Sequence, residues 1–205
     1  MSKKVVAIFV EGETELCFYK KIVKNHSSKL GDIHSIRYCN LRGVGQFKKD
    51  ALRKYQIIKK EYTNYPIDVF ICIDSDAFEF SKNPPFNKEQ LKRQLMQAGA
   101  HSVKYIVAKK SIEDWFLKDF DGIKSYLRLP KKAKIPNEKT GQKALQKIFR
   151  DNGKIYVKGG SSNDFIDKLD LNKIMSSCCK DLSPLCKATY LNCGRKCDFS
   201  KRKNK

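Results

Sequence analysis

Two short stretches of this chain, Val5–Glu15 (VVAIFVEGETE) and Ile67–Asp76 (IDVFICIDSD), decide its fold, because each is an apolar run that ends abruptly in carboxylates. Short runs rich in Val and Ile are typical of strands buried on both faces of a parallel sheet. Acids that follow such strands face one crevice at the carboxyl edge of the sheet, where α/β folds usually bind ligands. The acids at these two strand ends are Glu11, Glu15, Asp74 and Asp76.

Apolar runs and stretches of helical spacing alternate along most of the chain. This alternation predicts an α/β fold with a mostly parallel central sheet flanked by helices. The predicted strands are Val5–Val10, Ile36–Leu41, Ile67–Ile73, His101–Ala108 and Ile155–Val157. The predicted helices are Glu13–Asn25, Phe47–Tyr62, Lys88–Ala98, Ile112–Phe120, Gln142–Phe149 and Phe165–Met175.

The length and composition predict one globular domain with a short appendage. The chain has 205 residues, of which 40% are hydrophobic, so a sizeable core can form. We predict a catalytic domain over residues 1–177 and a Cys-rich basic tail over residues 178–205, where the periodic pattern decays. The apolar runs are far shorter than the roughly 20 residues that cross a bilayer. Without a secretory cleavage site, we expect a cytoplasmic protein whose eight cysteines are free thiols or metal ligands.

The formal net charge of +21 is extreme for a chain of this length. Such a charge favours polyanionic partners, nucleic acid before an anionic membrane. Lysines and arginines on one face would contact the phosphate backbone without reading its sequence, although a solvated basic surface explains the same charges. The candidate residues for DNA or RNA binding are Lys48, Lys49, Arg53, Lys109, Lys110, Lys143 and Lys147.

Carboxylates that converge at one edge of a sheet repel one another unless a cation lies between them. Mg²⁺ or Mn²⁺ suits such a site, because these ions take oxygen ligands and also bind substrate phosphates. Glu113 follows the fourth predicted strand and is a further candidate ligand. Lys158 follows the fifth and is suited to neutralise a phosphate in a transition state. The simpler interpretation is that acids at strand ends stabilise the first turn of the next helix.

The predicted tail carries five cysteines within twenty residues. Four thiolates with paired short spacings are typical of structural Zn²⁺ sites, and only one pair here has a suitable gap. The cysteines therefore form either a zinc site or a set of incidental thiols. They are Cys178, Cys179, Cys186, Cys193 and Cys197.

The two acidic motifs resemble a known family. Val-Glu-Gly-x-Thr-Glu beginning at Val10, followed by Asp-x-Asp beginning at Asp74, resembles the Toprim domain of topoisomerases, primases and OLD-type nucleases. The whole layout is most similar to small stand-alone Toprim proteins of the OLD/RloB kind, often found in phage-defence settings. The resemblance extends over roughly Lys3 to Ile174 and includes the Ser-Ile-Glu-Asp-Trp-Phe-Leu element beginning at Ser111.

The resemblance implies a Mg²⁺-dependent nuclease with Lys158 as a catalytic lysine. Glu11 and Asp74 would hold one ion, and Glu15, Asp76 and Glu113 would serve a second ion or position the attacking water. Unlike full-length OLD proteins, the chain contains no G-x-x-x-x-G-K-[ST] motif. Control by a nucleotide would therefore need a separate ATPase or sensor subunit.

Three other functions are compatible with the same residues. A Toprim nucleotidyl transferase shares the acids, although the chain has no evident zinc ribbon at its N-terminus. A receiver-like phosphoacceptor domain also places acids, an aspartate and a lysine at strand ends, but it needs neither Asp76 nor the large positive charge. A non-catalytic nucleic-acid-binding subunit would bind equally well with Asp74 and Asp76 replaced by alanine.

Overall fold

The computed structural model describes residues 3–26, 31–79, 83–159 and 162–191. Its centre is a four-stranded sheet in which every neighbouring pair of strands is parallel, in the order β2-β1-β3-β4. The predicted α/β fold with a parallel sheet flanked by helices is therefore confirmed. The strands are β1 (Lys4–Val10), β2 (Ile33–Asn40), β3 (Ile67–Asp74) and β4 (Ser102–Ala108).

Helices connect the strands and form the C-terminal part of the described chain. Two short 3₁₀ segments, Val44–Gln46 and Leu117–Asp119, precede the second and the sixth helix. None of the helices in these described ranges is both long and apolar enough to cross a bilayer. The helices are α1 (Glu13–His26), α2 (Phe47–Glu61), α3 (Asp76–Glu79), α4 (Lys88–Gln97), α5 (Ile112–Phe116), α6 (Phe120–Leu127), α7 (Gly141–Arg150), α8 (Ser162–Ile166), α9 (Leu171–Ser177) and α10 (Cys179–Thr189).

The strand order creates a crevice at the carboxyl end of the sheet. β1 pairs with β2 on one side and with β3 on the other, so the chain leaves β1 and β3 in opposite directions across the sheet. Such a reversal leaves space between the two strand ends, and ligands bind there in open α/β sheets. The ends of β1 and β3 are the points where the first two acidic motifs begin.

Both faces of the sheet are covered, because alternate side chains of each buried strand point to opposite faces. Residues 5–10 of β1 are fully buried. Val6, Ile8 and Val10 belong to the core on one face, and Val5 and Phe9 belong to the core on the other. The first core packs against α1 and the helices that follow β4, and the second packs against α2 and α4. The result is a three-layered α/β/α domain.

The predicted division at residue 177 is wrong for the described part of the tail. α10 buries Leu182 and Leu185 completely, in the same core as Val6 and Ile8 of β1. Pro184 lies inside this helix and obscured its apolar spacing in the sequence. The domain therefore continues through α10, and the predicted cysteines at 193 and 197 lie outside the described residues.

Two further element predictions are wrong. Ile155–Val157 forms no strand: Ile155 is 80% exposed, Tyr156 is buried, and the segment pairs with no other strand in the described ranges. The predicted helix Phe165–Met175 is instead divided between α8 and α9, because Asp170 caps a new helix by accepting a hydrogen bond from Lys173 N.

Candidate active site

Glu11 and Asp74 meet in the crevice between the ends of β1 and β3. The backbone N–H of Asp74 donates to Glu11 Oε1 over 2.8 Å. Burial raises the pKa of Glu11 to about 7, although this hydrogen bond opposes the shift. Burial also raises the pKa of Asp74 to about 8, against the pull of Lys158. Burial therefore moves the pKa of both acids from the acidic range toward neutral pH in the metal-free protein.

Asp74 is held by two donors from distant parts of the chain. It is only 3% exposed. Its Oδ1 accepts the backbone N–H of Ile112, the first residue of α5, over 2.9 Å. Its Oδ2 accepts from Lys158 Nζ over 2.8 Å. These contacts fix the carboxylate at the carboxyl end of β3 and connect it to both later motifs.

Lys158 is the centre of the cluster. Its Nζ lies 2.9 Å from Glu15 Oε1, 2.8 Å from Asp74 Oδ2 and 4.0 Å from Glu113 Oε2. Burial alone would lower the pKa of Lys158, but the charges of the three carboxylates outweigh burial and raise the pKa above its ordinary value. The side chain is 28% exposed, although its ammonium lies among these buried acids. The predicted lysine thus lies among the predicted acids.

Several carboxylate oxygens in this cluster are buried without a hydrogen-bond donor from the described chain. They are both oxygens of Glu15 and Oε2 of Glu113. Glu15 Oε1 pairs with Lys158 by charge but without hydrogen-bond geometry. An unsatisfied buried acceptor costs free energy, so such groups usually indicate a missing partner. A site whose ligands are all anionic oxygens suits a hard cation as that partner.

The carboxylate oxygens of this cluster are the type of ligand that Mg²⁺ prefers. Among the described side chains, no group of three or more His, Cys, Asp or Glu is arranged as a ready-made metal cage. The ammonium of Lys158 lies between the acids instead and acts as their counter-ion. A divalent ion would therefore bind with rearrangement of these side chains.

The Lys154–Gly159 segment delivers Lys158 to the site without being a strand. Tyr156 lies two residues before Lys158, and its hydroxyl donates to Glu113 Oε1 over 3.0 Å. The N–H of Gly159, at φ 99°, donates to Thr14 Oγ1 over 2.8 Å. The segment is therefore fixed by polar contacts of Tyr156, Lys158 and Gly159 in place of a ladder of backbone hydrogen bonds.

Asp76 lies on the open side of the crevice and is only half-buried. Burial raises its pKa, and its N–H donates to Lys110 O over 3.0 Å. The hydroxyl of Ser75 accepts the N–H of Lys110, at φ 65°, over 2.8 Å. Lys110 therefore forms the rim of the site, with its Nζ donating to Lys139 O over 3.2 Å.

Asp114 has a structural role that places Glu113. Its Oδ2 accepts from the N–H and the hydroxyl of Ser111, closing a capping box at the start of α5. The same oxygen accepts the N–H of Gly141 over 3.1 Å, which joins α7 to α5. Neighbouring Glu113 is fully buried, and burial raises its pKa.

Gly141→Ala is expected to destabilise the protein by about 2 kcal/mol and to displace α5 together with Glu113. A methyl group at residue 141 would lie 2.4 Å from Asp114 N and 2.7 Å from the carbonyl carbon of Glu113. Urea unfolding measures the loss. Gly45→Ala is the matched control, because nothing lies within 4 Å of its added methyl group. Equal stability of the two variants would contradict this close approach.

Tyr156→Phe is expected to lower the free energy of unfolding by about 1–2 kcal/mol, because Glu113 Oε1 then becomes another unsatisfied buried acceptor. Tyr126→Phe serves as the control, since Tyr126 is a half-buried tyrosine of the same aromatic cluster outside the carboxylate site. Chemical denaturation of the two variants at about neutral pH gives the comparison. An unchanged free energy of unfolding in Tyr156→Phe would show that the hydrogen bond from Tyr156 to Glu113 does not stabilise the protein.

The metal-free protein is expected to lose stability as pH rises from about 4 to about 8. Over this range folded Glu11 and Asp74 retain protons that the unfolded chain has released, so the free energy of unfolding falls with pH and then levels off. Unfolding in EDTA at about pH 5, 7 and 9 measures the slope. Asp74→Asn should make the free energy of unfolding depend less on pH. An identical pH dependence in this variant would contradict the assignment of the effect to Asp74.

The predicted nucleic-acid-binding residues do not form one patch. Some lie on α2, against one face of the sheet, and others lie on α7, against the other face. Arg53 pairs with Asp50, and Lys147 pairs with Asp151, each at 3.0 Å. The exposed members are Lys48, Lys49, Arg53, Lys109 and Lys143.

The described cysteines form no zinc site. Cys178 and Cys186 are buried thiols outside any disulfide, as are Cys17 and Cys72 in the core. Cys179 is disulfide-bonded, contrary to the expectation of free thiols or metal ligands, and so cannot supply a zinc thiolate. The zinc prediction otherwise depends on residues outside the described ranges.

Sequence reasoning missed three residues that hold the site. Tyr156 lies in a predicted strand, and Thr14 and Asp114 have no predicted role at the site, yet all three make hydrogen bonds that hold it. The signal for Tyr156 was its position two residues before Lys158, since side chains two apart share a side of an extended chain. The other two partners are distant in sequence, and no local pattern indicates them.

Comparison with known proteins places the chain in a family. No curated protein and no solved structure matches it with significance. One family, described as a domain of unknown function, matches residues 10–187, a range that contains the whole carboxylate site. The chain therefore belongs to the DUF4276 family.

Proposed function

We propose that this protein is a Mg²⁺-dependent nuclease that cleaves phosphodiester bonds of DNA or RNA. The observation that supports the proposal best is the position of Lys158 among Glu15, Asp74 and Glu113, with buried carboxylate oxygens left unsatisfied beside it. Such a site offers anionic ligands for a cation and a fixed positive charge for a phosphate. The net charge of +21 suits a polyanionic substrate.

The acids would bind cations in two groups according to the elements that carry them. Glu11, Asp74 and half-buried Asp76 follow or end β1 and β3 and would hold one ion. Buried Glu15 and Glu113 would complete the binding of a second ion. Mg²⁺ bound there supplies an activated water and stabilises the leaving oxygen.

Lys158 would change partners during the reaction. In the structure it neutralises the acids. Once these acids have another counter-ion, the ammonium becomes available to a non-bridging phosphate oxygen, where a fixed positive charge stabilises developing negative charge. A carboxylate of the cluster that does not hold the ion would accept the proton of the attacking water.

The cellular setting is proposed from the resemblance to OLD-type Toprim proteins. It places the nuclease in defence against phage or mobile elements, with a separate ATPase or sensor subunit as its trigger. A trigger of this kind would protect the host from an always-active enzyme.

The test is a cleavage assay on plasmid DNA and total RNA with Mg²⁺, with Mn²⁺ and with EDTA. Cleavage in either metal and none in EDTA is the expected result, and the substrate that is cut identifies the nucleic acid. Equal cleavage in EDTA would contradict the role of the metal. Absence of cleavage in every condition would contradict an autonomous nuclease.

A second candidate, a phosphoacceptor domain, is favoured by the 2.8 Å contact of Lys158 with Asp74. Its aspartate would have to reach a phosphodonor, whereas Asp74 is only 3% exposed. Incubation with a small phosphodonor, followed by intact-mass measurement, distinguishes the candidates. A phosphorylated species that disappears in Asp74→Asn would favour the second.

A further inference from the structure

A shallow pocket of about 360 Å³, open to solvent and called the cavity below, lies beside the last turn of α6 and the loop that follows it. Its walls contain Lys124, Arg128 and Lys131, together with the hydroxyl group of Ser125. Three cationic side chains and one hydroxyl around a concave surface suit an anion with several oxygens, such as a phosphate.

The one acid in the cavity wall is already neutralised. Asp121 pairs with Lys124 at 2.8 Å and with Lys173 at 3.0 Å. Hydrogen bonds from these two lysines lower the pKa of Asp121 to about 2. In contrast, Arg128 and Lys131 make no ion pair with any acid of the described chain. The cavity therefore retains two cations without a counter-charge.

The backbone of Arg128 is unusual for its residue type. It ends α6 at φ 56° and ψ 40°, in the left-handed region where glycine or asparagine is usual. A larger side chain at such a position costs free energy. The strained turn fixes the base of the arginine at the cavity wall.

The segment Arg128–Lys139 connects this cavity to the rim of the carboxylate site. It contains five basic residues and one acid, and its five basic side chains are exposed. At its far end Lys139 O accepts from Lys110 Nζ, beside Asp76. Thr140, the next residue, caps α7, which is joined to α5 through Gly141 and Asp114. The basic segment therefore ends at the site itself.

We propose that this cavity and the segment Arg128–Lys139 bind the phosphate backbone of a nucleic acid several nucleotides away from the bond at the carboxylate site. The inference depends on the proposed nuclease function for its substrate, and it names a binding surface that α2 and α7 do not provide. Backbone contacts of this kind position a strand without selecting its sequence. Affinity should therefore depend steeply on salt and on the length of the strand.

The test variant is Arg128→Glu with Lys131→Glu. The control is Lys92→Glu with Arg93→Glu, which makes the same change of charge at two exposed positions of α4, on the other side of the sheet. Binding of a labelled oligonucleotide of about 30 nucleotides is measured in EDTA from about 50 to 200 mM salt. The test variant should bind at least about tenfold more weakly than the control, with a salt slope smaller by about 2.

Hydrolysis of a small phosphodiester, bis(p-nitrophenyl) phosphate, separates this inference from the proposed function. The test variant should hydrolyse it as wild type does, because the small ester does not reach the cavity. Failure of wild type to hydrolyse any phosphodiester would refute the nuclease, while the binding measurement would still test the surface. If the test variant fails to fold, Lys131→Gln with Lys132→Gln, at two exposed loop positions, replaces it.

Three outcomes would overturn the proposal. Equal loss of affinity in the test variant and the control would show a general effect of net charge. Unchanged affinity in the test variant would show that the cavity does not contact the strand. Loss of binding to anionic phosphatidylserine vesicles, with oligonucleotide binding intact, would assign the surface to a membrane.

Discussion

Asp74→Asn is expected to lower the rate of metal-dependent cleavage by more than about a hundredfold. Even residues that only hydrogen-bond to the ligands of a metal change metal affinity or activity by about 10–100-fold when they are mutated, and a ligand should matter more. Asp74 is the acid that joins β3, the start of α5 and Lys158. An amide keeps the shape of the side chain but removes its charge, so both cation binding and proton acceptance are lost. At about pH 5, where Asp74 is protonated, the free energy of unfolding should change by no more than about 1 kcal/mol, because the amide replaces a neutral acid and Lys158 keeps Glu15 as a partner.

Asp68→Asn is the matched control. Asp68 is a buried aspartate on the same strand, six residues and about 20 Å from Asp74. It accepts hydrogen bonds from Ser102 and His101, and these bonds hold its pKa below the usual value despite burial. The control should lose about 2 kcal/mol of stability and keep its cleavage rate. Full activity in Asp74→Asn, or equal losses of activity in both variants, would contradict the assigned site.

Lys158→Met is expected to lower the free energy of unfolding by about 3 kcal/mol at high pH, because it leaves three buried carboxylates without their counter-ion. The loss should shrink below about pH 7, where Asp74 and Glu11 take up protons. Urea unfolding at several pH values measures both effects. Lys173→Met is the control, because Lys173 also pairs with two aspartates but lies on the surface. An equal decrease in the free energy of unfolding in the two lysine variants would contradict the role of Lys158 as the counter-ion of the buried acids.

Divalent cations provide a second measurement on Lys158→Met. Without the ammonium, the carboxylates should bind Mg²⁺ more tightly, and binding to the folded state raises the thermal midpoint. The rise on adding Mg²⁺ should therefore be larger in Lys158→Met than in wild type, while cleavage is lost. An equal rise in both proteins would show that Lys158 and the cation do not share the acids.

Much of the fold was predictable from local patterns. β1 and β3 are short, apolar and rich in Val and Ile, and each ends in acids, so their positions and the shared crevice follow from sequence. Glu11, Glu15 and Asp74 were predicted together because the carboxyl ends of parallel strands meet at one edge. That argument needs only the direction of the strands, which the alternation of helices and strands supplies.

The remainder depends on contacts between distant residues, and local patterns do not contain them. Lys158 was placed at a strand end, whereas an irregular segment carries it to the site, held by Tyr156 and by Gly159. α10 was missed because Pro184 interrupts its pattern, although tertiary packing compensates for the lost backbone hydrogen bond. The sequence does not show which basic residues share a face, and the sheet separates those of α2 from those of α7.

The residues of the carboxylate site are far apart in the sequence, so the ribosome adds the acids of β1 and β3 well before the lysine. Asp74 and Lys158 are 84 residues apart. At a synthesis rate of about 5–20 residues per second, the growing chain carries the acids of β1 and β3 for about 4–17 seconds before the lysine is added. A ribosome-bound chain therefore lacks a complete site until Lys158 has been added. Translation itself would delay the proposed cleavage until the lysine can join the acids.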